Sequence, residues 1–411
     1  MLISDVALAF VIIDASLAAF VLAADQKPLA AVMIGLAGSA FGVLSILPVG
    51  DRIRDLALLG AALVVGAGFN FAFVLGHPTH APFHDSALLT DAAAQGLLEG
   101  RNPYGLDYLH SAMRFFYTPD VPVNFALSHY VYPPLNILED LPLRVLAHLG
   151  GPDLGFQVLY PIALVALAGG CYKMGEPGVR RATLTAIALN PLLIADSSIY
   201  FLNDVFFLAP SLGAVAALRA RRPVLAGVLF GLALATKQQA ILLAPYLLVG
   251  GWALLGRPGL MKAAIATALA AGLVVAPFLI WSPPAFITGV AGFFYGSGID
   301  VSPIRGASLP GLLVGSGVLP NRWVAFPSAV FQLIFTAPFL GLSLMWLARR
   351  WSWPAAWTSL AILAALTFFF GRILAPNYID LAFIFLTLGF AESLAREEGL
   401  LRAATPAFQP A

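Results

Sequence analysis

Twelve apolar segments, most of them long enough to cross a lipid bilayer, constrain the fold of this chain more than any other feature. The chain has 411 residues, of which 60% are hydrophobic and 10% are charged. A helix needs roughly 20 apolar residues to cross the hydrocarbon core, whereas transmembrane barrels alternate apolar and polar residues and give weaker segments. The sequence therefore predicts an all-α polytopic membrane protein with about 12 transmembrane helices. The predicted spans are residues 3–24, 28–48, 54–75, 154–173, 180–196, 199–219, 222–236, 238–256, 262–282, 322–348, 353–371 and 373–394.

Composition excludes several classes of protein. The formal net charge is only +1, which argues against a nucleic-acid partner. The single cysteine, Cys171, lies inside an apolar segment, so we expect neither a disulfide framework nor a thiolate zinc cluster. The first residues, MLISDVALAF, lack the basic region and cleavage site of a removable signal peptide. We therefore expect the first apolar segment to remain as a membrane helix.

Basic residues predict the orientation of the spans. Lysine and arginine concentrate in short cytoplasmic loops, and four basic turns alternate with the predicted helices. These turns carry Lys173, Arg180 and Arg181; Arg219, Arg221 and Arg222; Arg257 and Lys262; Arg349 and Arg350. With these turns inside, the polar segments fall together on the outer, periplasmic face of the plasma membrane. These segments are 76–131, 195–204, 236–239, 283–321 and Gly371-Arg372.

The same pattern predicts the domain organisation. Residues 1–395 are predicted to form one transmembrane domain, with 1–50 as a possible extra helix pair. The long outer loop 76–131 is predicted to carry juxtamembrane helices and the catalytic group, and 396–411 to be a flexible cytoplasmic tail. Residues 133–149 carry too many charges for a lipid-exposed span. An interfacial or re-entrant helix there keeps 12 spans, whereas a true span would give 13.

Asp85 heads a polar island that follows three apolar segments. A helix is predicted from about Ser86 to Leu98, with Gly100 as its C-terminal cap and Pro103 preventing its continuation. Leucines, alanines and a glycine at helical spacing give this helix an apolar stripe that suits the membrane surface. Asp85 either carries chemistry, as ionisable groups beside lipid often do, or only caps the helix.

Further ionisable residues stand at the ends of other apolar segments. The turn 195–204 supplies Asp196 and Asp204, with Asn203 beside the second; the alternatives are a solvated loop and a helix cap. Lys237 and Arg372 are isolated cations on the predicted outer side, where positive-inside statistics disfavour them, so an anion contact is attractive. Arg305 is a weaker third candidate.

Two other readings of the polar residues remain open. His77, His80 and His84 are spaced like metal ligands, but Pro78 and Pro82 break a helix there, so loop histidines are favoured over a metal site. Carboxylates and cations at an outer interface fit an anionic lipid-linked substrate, and they also fit a proton- or cation-coupled transporter. A transporter would place its ionisable groups in the middle of the spans, whereas here, apart from Asp14, the candidate groups stand at helix ends and in long loops.

Four segments follow one another along the chain: 85–104 (DSALLTDAAAQGLLEGRNPY), 130–135 (YVYPPL), 190–204 (NPLLIADSSIYFLND) and 226–245 (AGVLFGLALATKQQAILLAP). In this order they resemble the signature segments of GT-C membrane glycosyltransferases. The resemblance is closest to bacterial polyprenol-phosphate-mannose-dependent mannosyltransferases and covers about residues 54–390.

The resemblance implies an inverting transfer of a sugar from a polyprenyl-phosphate donor, with Asp85 as catalytic base and Asp204 and Lys237 in the same cavity. Cations would stabilise the departing phosphate, and since that group is a monophosphate, we expect no metal and no cofactor. The expected partners are the donor, a lipid or glycan acceptor and membrane lipids. The alternatives are a lipid or sugar-lipid transporter and an inactive scaffold of the same fold. Expected donor-phosphate contacts are Lys237, Arg372 and Arg305; expected substrate contacts are Asp204, Asn203, Asp91, Arg101, Asn102, Tyr104 and Tyr132.

Overall fold

A computed structural model describes residues 3–75, 85–115, 129–294 and 302–397, and these residues are helical almost throughout. The α-helices are α1 (Ile3–Ala24), α2 (Pro28–Ile46), α3 (Asp51–Ala62), α4 (Phe69–Val74), α5 (Asp85–Leu98), α6 (Leu135–His148), α7 (Tyr160–Tyr172), α8 (Pro177–Thr183), α9 (Pro191–Ser198), α10 (Asp204–Arg219), α11 (Pro223–Thr236), α12 (Ala244–Trp281), α13 (Pro283–Val290), α14 (Leu309–Gly315), α15 (Ser328–Arg349), α16 (Trp353–Phe369) and α17 (Pro376–Glu397).

Shorter elements connect these helices. Two stretches are π-helical, Leu63–Gly68 and Leu184–Ala188. Short 3₁₀ helices occupy Pro103–Gly105, Ala112–Phe115, Phe156–Leu159, Gln238–Leu243 and Gly292–Phe294. Strands β1 (Arg305–Gly306) and β2 (Ile373–Leu374) pair in parallel.

The length and composition of the helices confirm an all-α polytopic membrane protein. Among the described residues, six helical segments are long and apolar enough to cross a bilayer: Ile3–Ala24, Pro28–Ile46, Asp51–Val74, Gln238–Trp281, Ser328–Arg349 and Pro376–Glu397. In the same part of the chain, four apolar helical segments are shorter: Phe156–Tyr172, Pro223–Thr236, Pro283–Phe294 and Trp353–Phe369. The predicted number of about 12 spans therefore stays a prediction, although a helix lies within each predicted segment.

Three predicted spans can be compared in detail with the observed helices. Between the predicted segments 238–256 and 262–282, α12 has a kink at the non-helical residue Gly256, where φ is 64° and ψ is 179°, so α12 consists of two helices. Only glycine adopts such a conformation without steric cost, because it has no Cβ. The segment 180–196 is instead divided before Pro191, and the Asn190 side chain accepts a hydrogen bond from the Leu192 amide to begin α9.

Helix α6 accounts for the charged segment 133–149. It is absent from the apolar helices named above, and its charges are held within the protein rather than presented to lipid. Arg144 reaches three acidic side chains: Asp153 at 2.9 Å, Asp140 at 3.4 Å and Asp91 at 3.9 Å. This network ties α6 to α5, against which it packs. An interfacial or re-entrant placement remains the prediction for this helix.

The centre of the bundle is α10, whose residues are nearly all buried. It packs against α7 and α11, and α11 packs in turn against α12. The first two helices pack against each other, and α1 also contacts both π-helical stretches. The residues 1–50 therefore lie against the rest of the bundle. At the other terminus, α17 continues through Arg396 and Glu397, and the remainder of the predicted tail lies outside the described residues.

Ion pairs gather at one end of the bundle. Asp55 lies 2.7 Å from both Arg180 and Arg181, and Arg219 lies 2.6 Å from Glu392. Since α17 packs against α8, these two basic turns lie at the same end. Helix α10 runs from Asp204 to Arg219, so Asp204 lies at the opposite end.

Candidate active site

A cavity of about 270 Å³ lies at the Asp204 end of α10. It brings together five residues that the sequence predicts to be functional: Asp85, Tyr132, Asn203, Lys237 and Arg305. Its other lining residues are Leu89, Val131, Leu202, Gln238, Gln239, Phe293, Phe294, Gly306, Ile373, Leu374, Ala375, Pro376, Asn377 and Tyr378. Seven separate chain segments therefore build this site.

Asp85 reaches the cavity from the first residue of α5. The Ser86 hydroxyl donates a hydrogen bond of 3.2 Å to the Phe201 carbonyl, which fixes the start of α5 to the loop before α10. The helix ends before Gly100, whose φ of 75° suits a glycine C-terminal cap, as predicted. The apolar stripe differs from the prediction. Leu88 and Leu89 are buried against aromatic residues of the protein, so this face packs inward and does not lie on a membrane surface.

Asp204 does not line the cavity, but it joins three elements next to it. Its Oδ1 accepts a hydrogen bond of 2.8 Å from Lys237 Nζ, and its Oδ2 accepts one of 2.9 Å from Asn377 Nδ2. Both Asp204 and Lys237 are 3% exposed. A buried charge is tolerated when it is paired and hydrogen-bonded, so each residue stabilises the charge of the other. The carboxylate of Asp204 thus binds side chains of distant segments and is more than a helix cap.

Lys237 reaches Asp204 because the chain leaves the helical conformation at this residue. Its φ and ψ are −152° and 137°, between α11 and the 3₁₀ helix that follows. The next residue holds this break in place, since Gln238 Nε2 donates to the carbonyls of Val131 and Val290. The helix is therefore broken at Lys237, and this break turns the ammonium group into the protein.

Arg305 is positioned by the short strand pair. Residue Arg305 is paired with Ile373, and its backbone N–H donates a 3.0 Å hydrogen bond to the Arg372 carbonyl. Strand β2 leads directly to Asn377 and Tyr378 at the start of α17. The pairing thus places Arg305 and the start of α17 in the wall of one cavity.

Arg372 lies beside the cavity and does not line it. Its guanidinium donates to three backbone carbonyls: Ser302 at 3.0 Å, Val324 at 2.9 Å and Arg322 at 3.5 Å. Arg372 therefore fastens the segment 302–324 to β2, and this contact supports the position of Arg305.

The remaining predicted residues lie outside the cavity lining. Asp91 accepts a 2.7 Å hydrogen bond from the Phe156 amide, and the Asn102 side chain accepts one of 3.0 Å from the Tyr104 amide. Arg101 is exposed and pairs with Glu99. The Tyr104 hydroxyl donates a 2.8 Å hydrogen bond to the Tyr132 carbonyl, so Tyr104 orients a residue that does line the cavity.

The cavity lining contains charged side chains of both signs. Among the described residues of the lining, Asp85 is the sole carboxylate, and Lys237 and Arg305 are the cations. Burial, and then the negative charge of Asp85, raises the pKa of Tyr132, so its phenol keeps its proton and can donate a hydrogen bond. His77, His80 and His84 lie outside the described residues.

A second, mostly apolar pocket of about 310 Å³ adjoins the cavity. The two share Gln238, Gln239, Phe294, Ile373 and Tyr378. Beyond these residues, the pocket is lined by side chains such as Ile241, Leu242, Val290, Ala291 and Phe368, together with Arg372.

Some cavity residues were not singled out from the sequence. Gln238, Gln239, Asn377 and Tyr378 stand in the segments TKQQ and APNY, at the boundaries of apolar segments. Lys237 and Arg372 were chosen because they are ionisable residues at the ends of apolar segments, and these polar neighbours stand at the same boundaries. The alternative that Asp196 belongs to a solvated loop is wrong, because Asp196 lies in α9 and is only 6% exposed.

Comparison with known proteins identifies a family. The sequence model of glycosyltransferase family 87 matches residues 130–376, which is more than half of the chain. The matched range contains Tyr132, Asn203, Asp204, Lys237, Arg305 and Arg372, and it leaves Asp85 outside. Neither the curated proteins nor the solved structures contain a match.

Proposed function

The chain belongs to glycosyltransferase family 87, a family of GT-C-type membrane glycosyltransferases, and we propose that it transfers a sugar with inversion of the configuration at the anomeric carbon. The donor is a hexose, such as mannose, on a polyprenyl phosphate, and the acceptor is a lipid or glycan. The single observation that carries this proposal is the cavity in which one carboxylate, Asp85, faces the cations Lys237 and Arg305 beside an apolar pocket.

Asp85 is the general base of the proposed reaction. Its carboxylate takes the proton of an acceptor hydroxyl while that oxygen attacks the anomeric carbon of the donor. The bond from the anomeric carbon to the phosphate oxygen breaks, and its electron pair leaves with the polyprenyl phosphate. Inversion needs no carboxylate nucleophile, which agrees with one carboxylate among the described residues of the lining.

Arg305 is the main proposed contact of the donor phosphate. The phosphate changes from a diester to a monoester and gains negative charge, which a nearby cation stabilises. Lys237 already shares its charge with Asp204, and Arg372 directs its guanidinium to carbonyls. Lys237 therefore contributes a paired charge at the wall, and Arg372 acts by fixing the strand pair.

The apolar pocket next to the cavity supports a lipid-linked donor. Tyr378, Gln238 and Gln239 border both spaces. One donor molecule can therefore place its phosphate in the cavity and its hydrocarbon chain in the pocket. Asn203, Asn377 and the glutamine amides are suitable hydrogen-bond partners for sugar hydroxyls.

The cavity is proposed to face the outer side of the plasma membrane. Helix α10 begins at the cavity and ends at Arg219, and α15 begins with Ser328 beside the apolar pocket and ends at Arg349. Basic helix ends favour the cytoplasmic side, and the opposite ends are then outside.

Replacing Asp85 by Asn tests the proposed base. The full-length protein in lipid nanodiscs would be supplied with polyprenyl-phosphate mannose, or the glucose equivalent, and a lipid acceptor fraction. We expect kcat to fall by about 10²–10⁴ with little change in donor KM, because the amide cannot take the proton. The exposed Asp107 of the same loop provides the control Asp107→Asn, which should leave kcat unchanged. A normal kcat in Asp85→Asn would exclude Asp85 as the base.

A further inference from the structure

A separate groove of about 470 Å³ lies where α7 and α11 pack against α10. It shares no lining residue with the cavity or with the apolar pocket beside the cavity. Ile162 at its border is 65% exposed, and the segments Phe156–Tyr172 and Pro223–Thr236 are apolar helices. We therefore expect the groove to be open to the hydrocarbon region of the membrane.

One ionisable side chain, that of Glu139 in α6, lines this groove. Its Oε2 is buried and has no hydrogen-bond partner among the described residues. Asn136, one turn before Glu139, donates a 3.3 Å hydrogen bond to the carbonyl of Thr236, the last residue of α11. Since Lys237 follows in the cavity lining, Glu139 lies at the end of the groove nearest the cavity. Burial raises the pKa of Glu139 to about 8, so at neutral pH its carboxyl group keeps a proton and can both donate and accept.

A second polar group lies in the wall of the same groove. Pro210 interrupts the hydrogen bonds of α10, because proline has no N–H. The carbonyl of Phe206, four residues earlier, therefore lacks its helical donor, and both residues line the groove. Phe206 lies in the first turn of α10, which begins at Asp204, so this acceptor is at the same end as Glu139. From Phe206 the groove follows α10 to Gly213, a distance of about 10 Å.

These polar groups fit one kind of ligand group. A phosphate would need a cation, and the described residues of the lining include none. An ammonium group would need an ionised carboxylate, which burial disfavours. A hydroxyl group accepts a hydrogen bond from a protonated carboxyl group and donates one to a carbonyl. A single groove with its polar groups at one end suits one hydrocarbon chain rather than two.

We propose that the groove binds a single-chain lipid alcohol, whose hydroxyl group is hydrogen-bonded to Glu139 and whose hydrocarbon chain lies along α10 toward Gly213. This site goes beyond the proposed transfer of a sugar and does not depend on it.

Chemical modification of Glu139 tests the site without any measurement of activity. Dicyclohexylcarbodiimide is an apolar reagent that modifies protonated carboxyl groups accessible from hydrocarbon. The full-length protein in phosphatidylcholine nanodiscs would be treated at neutral pH, and mass spectrometry of its peptides would report the modification of Glu139. We expect modification in the wild type and protection by hexadecanol. Absence of modification would show that Glu139 is not reached from the hydrocarbon region, and would overturn the site.

Matched ligands test the chemistry of the bound group. Hexadecane has the chain of hexadecanol without its hydroxyl group, so equal protection should require an about tenfold higher concentration, as expected for one lost hydrogen bond. Equal protection by hexadecane would overturn the role of the hydroxyl group. Stronger protection by diacylglycerol would overturn the single-chain ligand, and stronger protection by phosphatidylethanolamine would show that an ammonium group is bound instead.

Variants of the groove test its residues by saturation binding of tritiated hexadecanol. Glu139→Gln retains a donor and an acceptor, so it should bind like the wild type although it cannot be modified. Glu139→Leu should bind about tenfold more weakly, and Ala166→Phe, which fills the groove and keeps the carboxyl group, should not bind. Circular dichroism shows which variants are folded, and either of these two is sufficient for the test.

The groove between α16 and α17 supplies a matched control. It also has a volume of about 470 Å³, and its described lining residues include no carboxyl group. Ala382→Phe fills this control groove, and we expect hexadecanol to bind to Glu139 as in the wild type. Unchanged binding in Glu139→Leu or in Ala166→Phe, or an equal loss in Ala382→Phe, would overturn the inference.

Discussion

Buried charged residues in this protein are commonly held by partners of opposite sign. Asp55 binds Arg180 and Arg181, and Lys237 binds Asp204. Glu392 accepts hydrogen bonds from both Arg219 and the Trp357 indole. Removing one member of a buried pair leaves the other charge uncompensated, at a cost of about 3–5 kcal/mol. Each of these pairs therefore needs both of its members in the folded protein.

Asp14 is a buried carboxyl group of a different kind. It lies midway along α1, it is fully buried, and neither of its oxygens has a hydrogen-bond partner among the described residues. Leucine has a similar branched shape and no polar atom. Because an unsatisfied buried polar group costs roughly 1–3 kcal/mol, Asp14→Leu should raise the thermal unfolding temperature in detergent.

The exposed Asp5 on the same helix supplies the control Asp5→Leu, for which no increase is expected. A lower unfolding temperature in Asp14→Leu would show that the carboxyl group has a stabilising partner, such as a bound cation, in the folded protein.

Residue types at segment boundaries could be predicted from the sequence, but their partners could not. Asp85, Lys237 and Arg305 were expected at one site, and all three line one cavity. The partners of Asp204 come from positions 33 and 173 residues away, and no local pattern encodes such contacts. For the same reason, Arg372 looked like a phosphate ligand, although its guanidinium is directed to carbonyls of a distant segment.

Among the secondary-structure elements, the smallest has a large effect on the site. The pair β1–β2 contains two residues in each strand, and it joins the segment after α13 to the start of α17. Gly306 has a φ of 73°, and a Cβ at this position would collide with the Leu374 carbonyl. This glycine is therefore needed for the close approach of the two strands.

Gly306→Ala should separate the strands and displace Arg305 from the cavity. We expect donor KM to rise at least about tenfold, which corresponds to about 1.4 kcal/mol of binding free energy, with a smaller change in acceptor KM. Steady-state kinetics with a varied polyprenyl-phosphate sugar measures this effect. Gly315 is a matched control, because a Cβ there meets no atom within 4 Å; equal effects of Gly306→Ala and Gly315→Ala would contradict the role of the strand pair.

The contact between α5 and α6 should make stability depend on pH. Burial, and then the charge of Asp91, raises the pKa of Asp140 to about 9 from an ordinary value of 3.8. The folded protein thus keeps a proton that the unfolded chain releases, and this contribution to stability is complete below 3.8 and lost as the pH rises through about 9.

Thermal unfolding in detergent between about pH 5 and pH 9 tests this dependence. The unfolding temperature of the wild type should decrease with rising pH, and the unfolding temperature of Asp140→Asn should decrease less over the same range. Burial also raises the pKa of Glu139 to about 8, so some dependence should remain in this variant. Equal slopes for Asp140→Asn, the wild type and the exposed control Asp107→Asn would contradict the expected titration.

Element boundaries were predictable where local chemistry decides them. Helix α5 ends where Gly100 permits a positive φ, as predicted. The start of α9 at Asn190 and Pro191 was not predicted, because the apolar segment 180–196 continues through it. The face of α5 was not predictable in the same way. An apolar stripe suits both a membrane surface and a protein interior, and only the position of the aromatic residues around Leu88 and Leu89 distinguishes them.

At the scale of the whole molecule, the two ends of the bundle have different chemistry. Arg180, Arg181 and Arg219 form ion pairs at one end, and the cavity and its apolar neighbour lie at the other. A lipid-linked donor needs both a polar cavity and access from the hydrocarbon region. The apolar pocket beside Tyr378 is suited to that access.

The proposed orientation can be measured with single cysteines. Cys171 is buried and is the single cysteine of the chain. Cys171→Ser therefore gives a cysteine-free background that a membrane-impermeant maleimide should not label. His110 lies in the loop after α5, and Arg350 follows α15; both are exposed. In that background, His110→Cys should be labelled on intact cells, and Arg350→Cys only after permeabilisation, because basic helix ends stay in the cytoplasm. Labelling of Arg350→Cys alone on intact cells would reverse the orientation, and the cavity would then receive its donor from the cytoplasmic side.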